Sequence, residues 1–175
     1  ALAPGSAPVT AAPGIFPPAV VAAQATPIAP NEATTITAQI NAALLEDLPF
    51  VDQQDFEDAQ RGFIATLPDV TIKAENGYTV WTLKGYEFLE QDEAPPSINP
   101  SLWRMAQLNM NNGLFEVTDR IYQVRGFDLS NMTIVEGDTG LILIDPLSTP
   151  ATSRAALDLY YEEFGEKPVV AVIFT

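Results

Sequence analysis

The stretch Arg125–Thr175, R-G-F-D-L-S-N-M-T-I-V-E-G-D-T-G-L-I-L-I-D-P-L-S-T-P-A-T-S-R-A-A-L-D-L-Y-Y-E-E-F-G-E-K-P-V-V-A-V-I-F-T, decides the fold. It holds three β-type apolar runs, Asn131–Val135, Leu141–Ile144 and Val169–Phe174. Gly137-Asp138-Thr139-Gly140 lies between the first two and predicts a tight turn. Ala151–Phe164 reads as a helix separating the second run from the third. The order strand, turn, strand, helix, strand predicts an α/β chain with α+β layering. Thr175 stands at the C-terminal end of the last strand, the side on which α/β sheets gather their chemistry.

Composition narrows the function classes. The 175 residues fit one domain or part of a larger one. Acidic residues outnumber basic ones 23 to 8, giving a net charge of −15. Such a field repels nucleic acid and anionic lipid, so neither is expected as a partner. An anionic substrate remains possible where a local cation or metal inverts the field. The chain has no Cys and no His. Disulfides, thiolate or imidazole metal ligands, a His general base and a Ser-His-Asp triad are therefore excluded within these residues. No run of about 18 apolar residues exists to span a membrane.

Upstream, residues 1–30 are rich in Ala and Pro and read as an extended arm or linker. The opening Ala1-Leu2-Ala3 hints at the remainder of a cleaved signal peptide, which points to a periplasmic or secreted bacterial protein. Asn31–Leu48 predicts a helix capped by Asn31 or Thr34, with Ile36, Ile40, Ala43, Leu44 and Leu48 on its inner face. Asp52–Arg61 predicts a second helix with Asp52 as its cap. Its acids, Asp52, Asp55, Glu57 and Asp58, read as a solvated face rather than a metal cluster. Val70–Ile72 and Tyr78–Leu83 flank Asn76-Gly77 and predict a hairpin. Tyr86–Leu89 is a short helical or strand segment, and Gln91–Asn99 a loop. Ser97 or Asn99 starts a helix through Leu108 with Trp103 inward. Leu114–Val117 and Ile121–Val124 pair around Thr118-Asp119-Arg120. These segments divide the chain into an arm (1–30), a helical and hairpin extension (31–112) and the β-rich start of an αβ layer (113–175).

Two places in the deciding stretch carry polar side chains where a site could form. Gly126 interrupts a strand pattern, which suggests a bulge or the close approach of another group. Asp128, Ser130 and Asn131 follow it, interleaved with Phe127 and Leu129. This reads either as a wide turn capped by its own side chains or as a pocket rim with Phe127 and Leu129 as apolar walls. Asp145 closes an apolar strand ahead of Pro146. It either caps the next turn or orients groups in a neighbouring site. The residues alone leave both pairs of readings open.

A family resemblance adds to this. Ile121–Thr175, with its hairpin, L-I-L-I-D, helix and V-V-A-V-I-F-T, resembles the start of the αββα metallo-β-lactamase fold. Within that superfamily, R-G-F-D-L-S-N-M-T-I-V-E-G (Arg125–Gly137) and K-P-V-V-A-V-I-F-T (Lys167–Thr175) look like the alkyl sulfatases. So do Q-D-F-E-D-A-Q-R-G-F-I-A (Gln54–Ala65), N-P-S-L-W-R-M-A-Q-L-N (Asn99–Asn109) and G-L-F-E-V-T-D-R-I-Y-Q-V-R-G (Gly113–Gly126). The resemblance spans Leu48–Thr175 and leaves out the arm.

The resemblance implies hydrolysis of alkyl sulfate esters to alcohol and sulfate by a homodimeric enzyme. It implies two zinc ions held by a His-x-His-x-Asp-His segment and further ligands, all after Thr175, so that no residue here is a metal ligand or a catalytic group. Asp145 and Thr175 match residues that support that segment. Phe127, Asp128, Leu129, Ser130 and Asn131 match a loop near the site and are expected to contact substrate. The rest of the same polypeptide is expected to accompany this chain, because a lone apolar last strand leaves an aggregation-prone edge. The alternatives are another hydrolase of the same fold, of lactonase, thioesterase or β-lactamase type, and a non-catalytic fragment.

Overall fold

The computed structural model describes residues 32–175. The Ala/Pro-rich arm, the signal-peptide remnant and the Asn31 cap lie outside the described residues.

The fold is built on a six-stranded sheet of order β1-β4-β5-β6-β7-β8. Its strands are β1 (Phe63–Ala65), β4 (Gly113–Thr118), β5 (Ile121–Arg125), β6 (Met132–Glu136), β7 (Leu141–Ile144) and β8 (Val169–Ile173). Strands β2 (Thr71–Lys73) and β3 (Thr79–Thr82) form a separate hairpin closed at Asn76-Gly77, as the sequence predicts. The helices are α1 (Thr35–Asp47), α2 (Gln54–Gln60), α3 (Pro100–Leu108) and α4 (Pro150–Phe164), with a short 3-10 turn at Glu87–Glu90. Fold class and element order match the expectation, with ends displaced by a few residues.

Period-two alternation sets the register. Cross-strand pairs Leu114↔Val124, Val124↔Met132, Tyr122↔Ile134 and Ile134↔Leu143 place buried residues on one face. A slip of one residue would turn this row to the opposite face. Ala156, Leu159 and Tyr160 of α4 pack on the row, joined by Val70 and Ile72 from the hairpin segment. Each fully buried large side chain contributes about 1.5–3 kcal/mol to burial. Tyr160 is enclosed by Tyr122 (5.4 Å) and Phe164 (5.1 Å) and donates its hydroxyl to Glu136 at 2.9 Å. Glu136 also pairs with Lys167, which ties β6 to the segment leading into β8.

Strands β1, β4, β5, β6 and β7 run antiparallel in turn, whereas β7 and β8 are parallel and joined through α4. Thr149 caps α4, accepting from the Thr152 amide at 3.1 Å while the Thr149 amide donates back to the Thr152 hydroxyl at 3.3 Å. Asn99 caps α3 in the predicted manner, accepting from Ser101 at 2.9 Å with Pro100 at the first helical position.

Several expectations change. The inner face drawn for α1 holds only at Leu44, which is half-buried: Ile36 is 70% and Ile40 59% exposed, and Ala43 and Leu48 are exposed as well. The helix contacts α3 and turns Thr37, Ala38, Asn41 and Leu44 inward, with Asn41 donating to Pro96 O in the loop before α3 at 2.8 Å. Asp52 does not cap α2; Gln53 holds that position, and Asp52 accepts from Gln54 one residue inside. Arg104 of α3 secures α2, donating to the Asp55 carboxylate and the Phe50 carbonyl with its guanidinium 4.9 Å from the Phe56 ring. Strand β1 has no counterpart in the sequence reading. It pairs with β4 across the boundary expected near Gly113, and the hairpin residues share the sheet's core, so extension and αβ layer are continuous.

Candidate functional site

Alternating strand direction brings the polar residues of the deciding stretch to one edge of the sheet. Strands β5 and β7 both run antiparallel to β6, so their C-terminal ends lie on the same side, and parallel β8 adds its own. Arg125 ends β5, Asn131 precedes β6, Asp145 follows β7 and Thr175 follows β8. Neighbouring strands are about 4.8 Å apart, so four strand ends share a strip about 15 Å wide.

Asp145 and Thr175 meet directly. The Thr175 amide donates to Asp145 Oδ1 at 2.8 Å and its hydroxyl to Oδ2 at 2.6 Å. These bonds, the hydroxyl's first, hold the Asp145 carboxyl below the usual carboxylate range. Asp145 also donates its amide to Ile173 O at 2.9 Å. Its φ of +50° and that of Leu147, +66°, are left-handed. Aspartate tolerates this region, whereas a leucine there stores about 1–3 kcal/mol of strain. The turn is fixed by the Leu147 amide on Asp145 O at 2.7 Å. The Asp145 carboxylate therefore does not cap the turn, which its backbone carbonyl closes; the side chain instead ties the end of β7 to Thr175 after β8.

Asp128 is a latch. Its Oδ1 accepts from the Leu129 amide (2.7 Å) and Ser148 hydroxyl (3.0 Å), and its Oδ2 from the Ser148 amide (2.8 Å) and Thr152 hydroxyl (2.8 Å). Burial pushes the carboxyl up, but the Ser148 and Leu129 amides with the two hydroxyls outweigh it and hold it below the usual range. The carboxylate sits at the start of α4, where the helix dipole favours negative charge. All its lone pairs face protein donors, so the expected role in holding substrate gives way to one of joining the loop to α4.

Phe127 is fully buried in the core and walls no cavity, contrary to the expected apolar rim. Leu129, in contrast, is 91% exposed. Ser130 and Asn131 line an open cavity of about 530 Å³ together with Gln123, Thr133, Asp145 and Thr175. Of the residues singled out in sequence, four thus converge: Ser130, Asn131, Asp145 and Thr175.

A second cavity of about 400 Å³ lies on the other side of the loop and shares Asn131 with the first. Its walls include Trp81, Leu83, Asn109, Arg125 and Leu129. Gly126 makes the close approach inferred from sequence: with φ +73°, a Cβ there would stand 2.6 Å from Asn112 Cβ. Its carbonyl accepts from Trp81 Nε1 at 2.7 Å, which anchors the hairpin beside the loop. Arg125 is not among the residues the sequence pattern singles out. Its Nε donates to Gln123 Oε1 at 2.7 Å and its guanidinium lies 4.4 Å from the Phe115 ring centre. Partial burial pushes its pKa down. The available signal was a cation ending an apolar-alternating strand immediately before a glycine.

Residues 125–175 match the metallo-beta-lactamase superfamily. The chain is 55% identical over 144 residues to a linear primary-alkylsulfatase of Pseudomonas sp., covering 82% of this chain and 21% of that protein. It is 52% identical to an (R)-specific secondary-alkylsulfatase of Pseudomonas sp., with the same coverage. The solved structure of the stereoselective inverting sec-alkylsulfatase Pisa1 from Pseudomonas sp. superposes with a TM-score of 0.76 at 53% identity, over 81% of this chain and 22% of that one. This chain spans about a fifth of the length of these relatives.

The superfamily implies metal ions. The donors present do not fit such a site. The chain has no His or Cys, and no three acidic side chains converge among the described residues. Asp145, the acid at the sheet edge, has both oxygens engaged by Thr175. What this segment contributes is the edge itself and its turn-fixing hydrogen bonds. Residues 125–175 match the metallo-β-lactamase superfamily, and about four-fifths of the chain is similar to the corresponding fifth of these alkylsulfatases.

Proposed function

We propose that the polypeptide containing this chain hydrolyses alkyl sulfate esters to alcohol and sulfate, using two zinc ions bound by residues after Thr175. The observation that carries this reading is the 55% and 52% identity to two alkylsulfatases across the described body, well beyond the superfamily segment. The sheet edge supports it. Asp145 and Thr175 fix the backbone beside a polar cavity, and an adjoining cavity offers apolar walls to an alkyl tail. In this reading Ser130, Asn131 and Leu129 face the substrate, while Phe127 and Asp128 hold the loop. The near-equal identities to a primary and a secondary alkylsulfatase favour neither class of substrate.

The test uses the full-length polypeptide. Sulfate release from decyl sulfate and from 2-octyl sulfate is measured before and after treatment with a chelator. Release that stops on chelation and returns with zinc supports the reading. Turnover confined to lactones or thioesters would assign a different hydrolase of the same fold. Homodimerisation and a periplasmic or secreted location belong to the same proposal, the former supported by the exposed apolar face of α1 at Ile36 and Ile40. Sedimentation of the full-length protein and cell fractionation check them.

A further inference from the structure

Charge pairing sets one cation apart. Arg61, Lys84, Arg104, Arg120, Arg154 and Lys167 each lie within 3.8 Å of a carboxylate. Among the described residues only Lys73 and Arg125 do not, and Lys73 is exposed to water on the hairpin. Arg125 is partly buried. A guanidinium removed from water without an anion is costly unless something completes it.

Its hydrogen bonds leave room for that. Of five N–H donors, Nε is used on Gln123 Oε1 at 2.7 Å, and Nη1 reaches Ala59 O only at 3.5 Å. Nη2 has no acceptor among the described residues. The Phe115 ring covers one face of the group and fixes its plane. The cavity it lines adds amide side chains, Asn109 and Asn131, and apolar surface from Trp81, Leu83 and Leu129. Its one acid, Asp128, is saturated by four protein donors and does not compete for Arg125. Gln123, the acceptor for Nε, also lines the neighbouring cavity at the Asp145–Thr175 edge.

We propose that Arg125 is the recognition residue for an amphiphilic anion, its guanidinium taking the anionic head and Trp81, Leu83 and Leu129 the first part of the tail. Under the alkyl sulfatase reading, on which this choice of ligand rests, the anion is the sulfate monoester. Arg125 then supplies the local positive field that a chain of net charge −15 otherwise lacks. The planar fork matches a tetrahedral oxyanion with two parallel N–H···O bonds, which a lysine does not reproduce.

The experiment uses the full-length protein and decyl sulfonate, whose C–S bond is not hydrolysed, with 1-decanol as the uncharged control. Binding and steady-state kinetics are measured for wild type, Arg125→Gln, Arg125→Lys and Asn131→Asp. The last lies at an exposed position and places a negative charge on the same cavity without disturbing the core. Arg125→Gln should raise the Kd for decyl sulfonate and the KM for decyl sulfate at least about tenfold, with kcat falling less. Arg125→Lys should recover only part of this, and Asn131→Asp should weaken sulfonate binding at low salt. Decanol binding should be unchanged throughout. Unaltered sulfonate affinity in folded Arg125→Gln and Asn131→Asp proteins overturns the proposal, as does an equal loss for decanol, which marks a structural role. Arg125-dependent sulfonate binding by a wild-type protein that hydrolyses no alkyl sulfate sustains the anion site and sinks the sulfatase reading.

Discussion

Removing the Asp128 carboxylate should loosen the start of α4. Four protein donors converge on it, yet the loss is smaller than four full bonds. Leu129 and Ser148 are exposed, so water replaces the carboxylate at their amides. The buried Thr152 hydroxyl retains Thr149 O at 3.1 Å as another acceptor. What remains is about one charge-assisted bond, about 1.5–3 kcal/mol, and a dipole contribution of about 0.3–1 kcal/mol. Asp128→Ala should therefore cost about 2–4 kcal/mol, and Asp128→Asn, which keeps one acceptor oxygen, about half as much. The assay is amide hydrogen exchange on the full-length protein, followed at Leu129, Ser148 and Thr152, with urea denaturation alongside. Ser148 should exchange at least about tenfold faster in Asp128→Ala. The folded-state pKa of Asp128 is depressed, so its contribution is fully present above about pH 4 and is lost as pH falls through the lowered value. Asp128→Asn should flatten that part of the stability–pH curve. Unchanged exchange at Ser148 together with an unchanged acid limb would refute the latch.

Gly62 should not accept a side chain. At φ +73° a Cβ would stand 2.0 Å from Glu116 O, so Gly62→Ala should destabilise by more than about 2 kcal/mol in urea denaturation. Tyr160→Phe keeps the ring packing but removes the hydroxyl that donates to Glu136, with Lys167 still paired to that acid. A loss of about 1–2 kcal/mol is expected, and a null effect would show that Lys167 alone satisfies Glu136. The 175-residue segment expressed by itself should self-associate, because β8 exposes Val170, Val172 and Ile173 on an edge that is unpaired among the described residues. A soluble 18.9 kDa monomer in sedimentation would contradict this.

Elements with a strong local signal were legible in the sequence. Asn76-Gly77 fixed the hairpin, Asn99-Pro100 the start of α3, and the apolar runs Ile121–Val124, Asn131–Val135 and Leu141–Ile144 the positions of β5, β6 and β7. The short strand β1 escaped notice because three residues carry no usable period, and its existence depends on β4 lying beside it. The apolar spacing of Ile36 and Ile40 in α1 does not mark burial, because such spacing does so only where a partner surface exists. At the site, Asp145 and Thr175 stood out by their positions at strand ends. Arg125 did not, since its importance lies in lacking a carboxylate partner, a property of three-dimensional neighbours. Phe127 was assigned to the wrong side of the loop for a related reason: Gly126 turns the backbone, and the strand's alternation does not carry through it.

The sheet's mixed connectivity also bears on the order of assembly. Strands β4 to β7 are joined by two short turns and one six-residue loop, so each can zip onto its predecessor at a small loop-closure cost. Strand β8 must wait for the whole of α4 to coil and dock before it reaches β7. As the polypeptide leaves the ribosome, the meander can therefore be organised while the Thr175 end is still unplaced, and the clasp between Thr175 and Asp145 closes last.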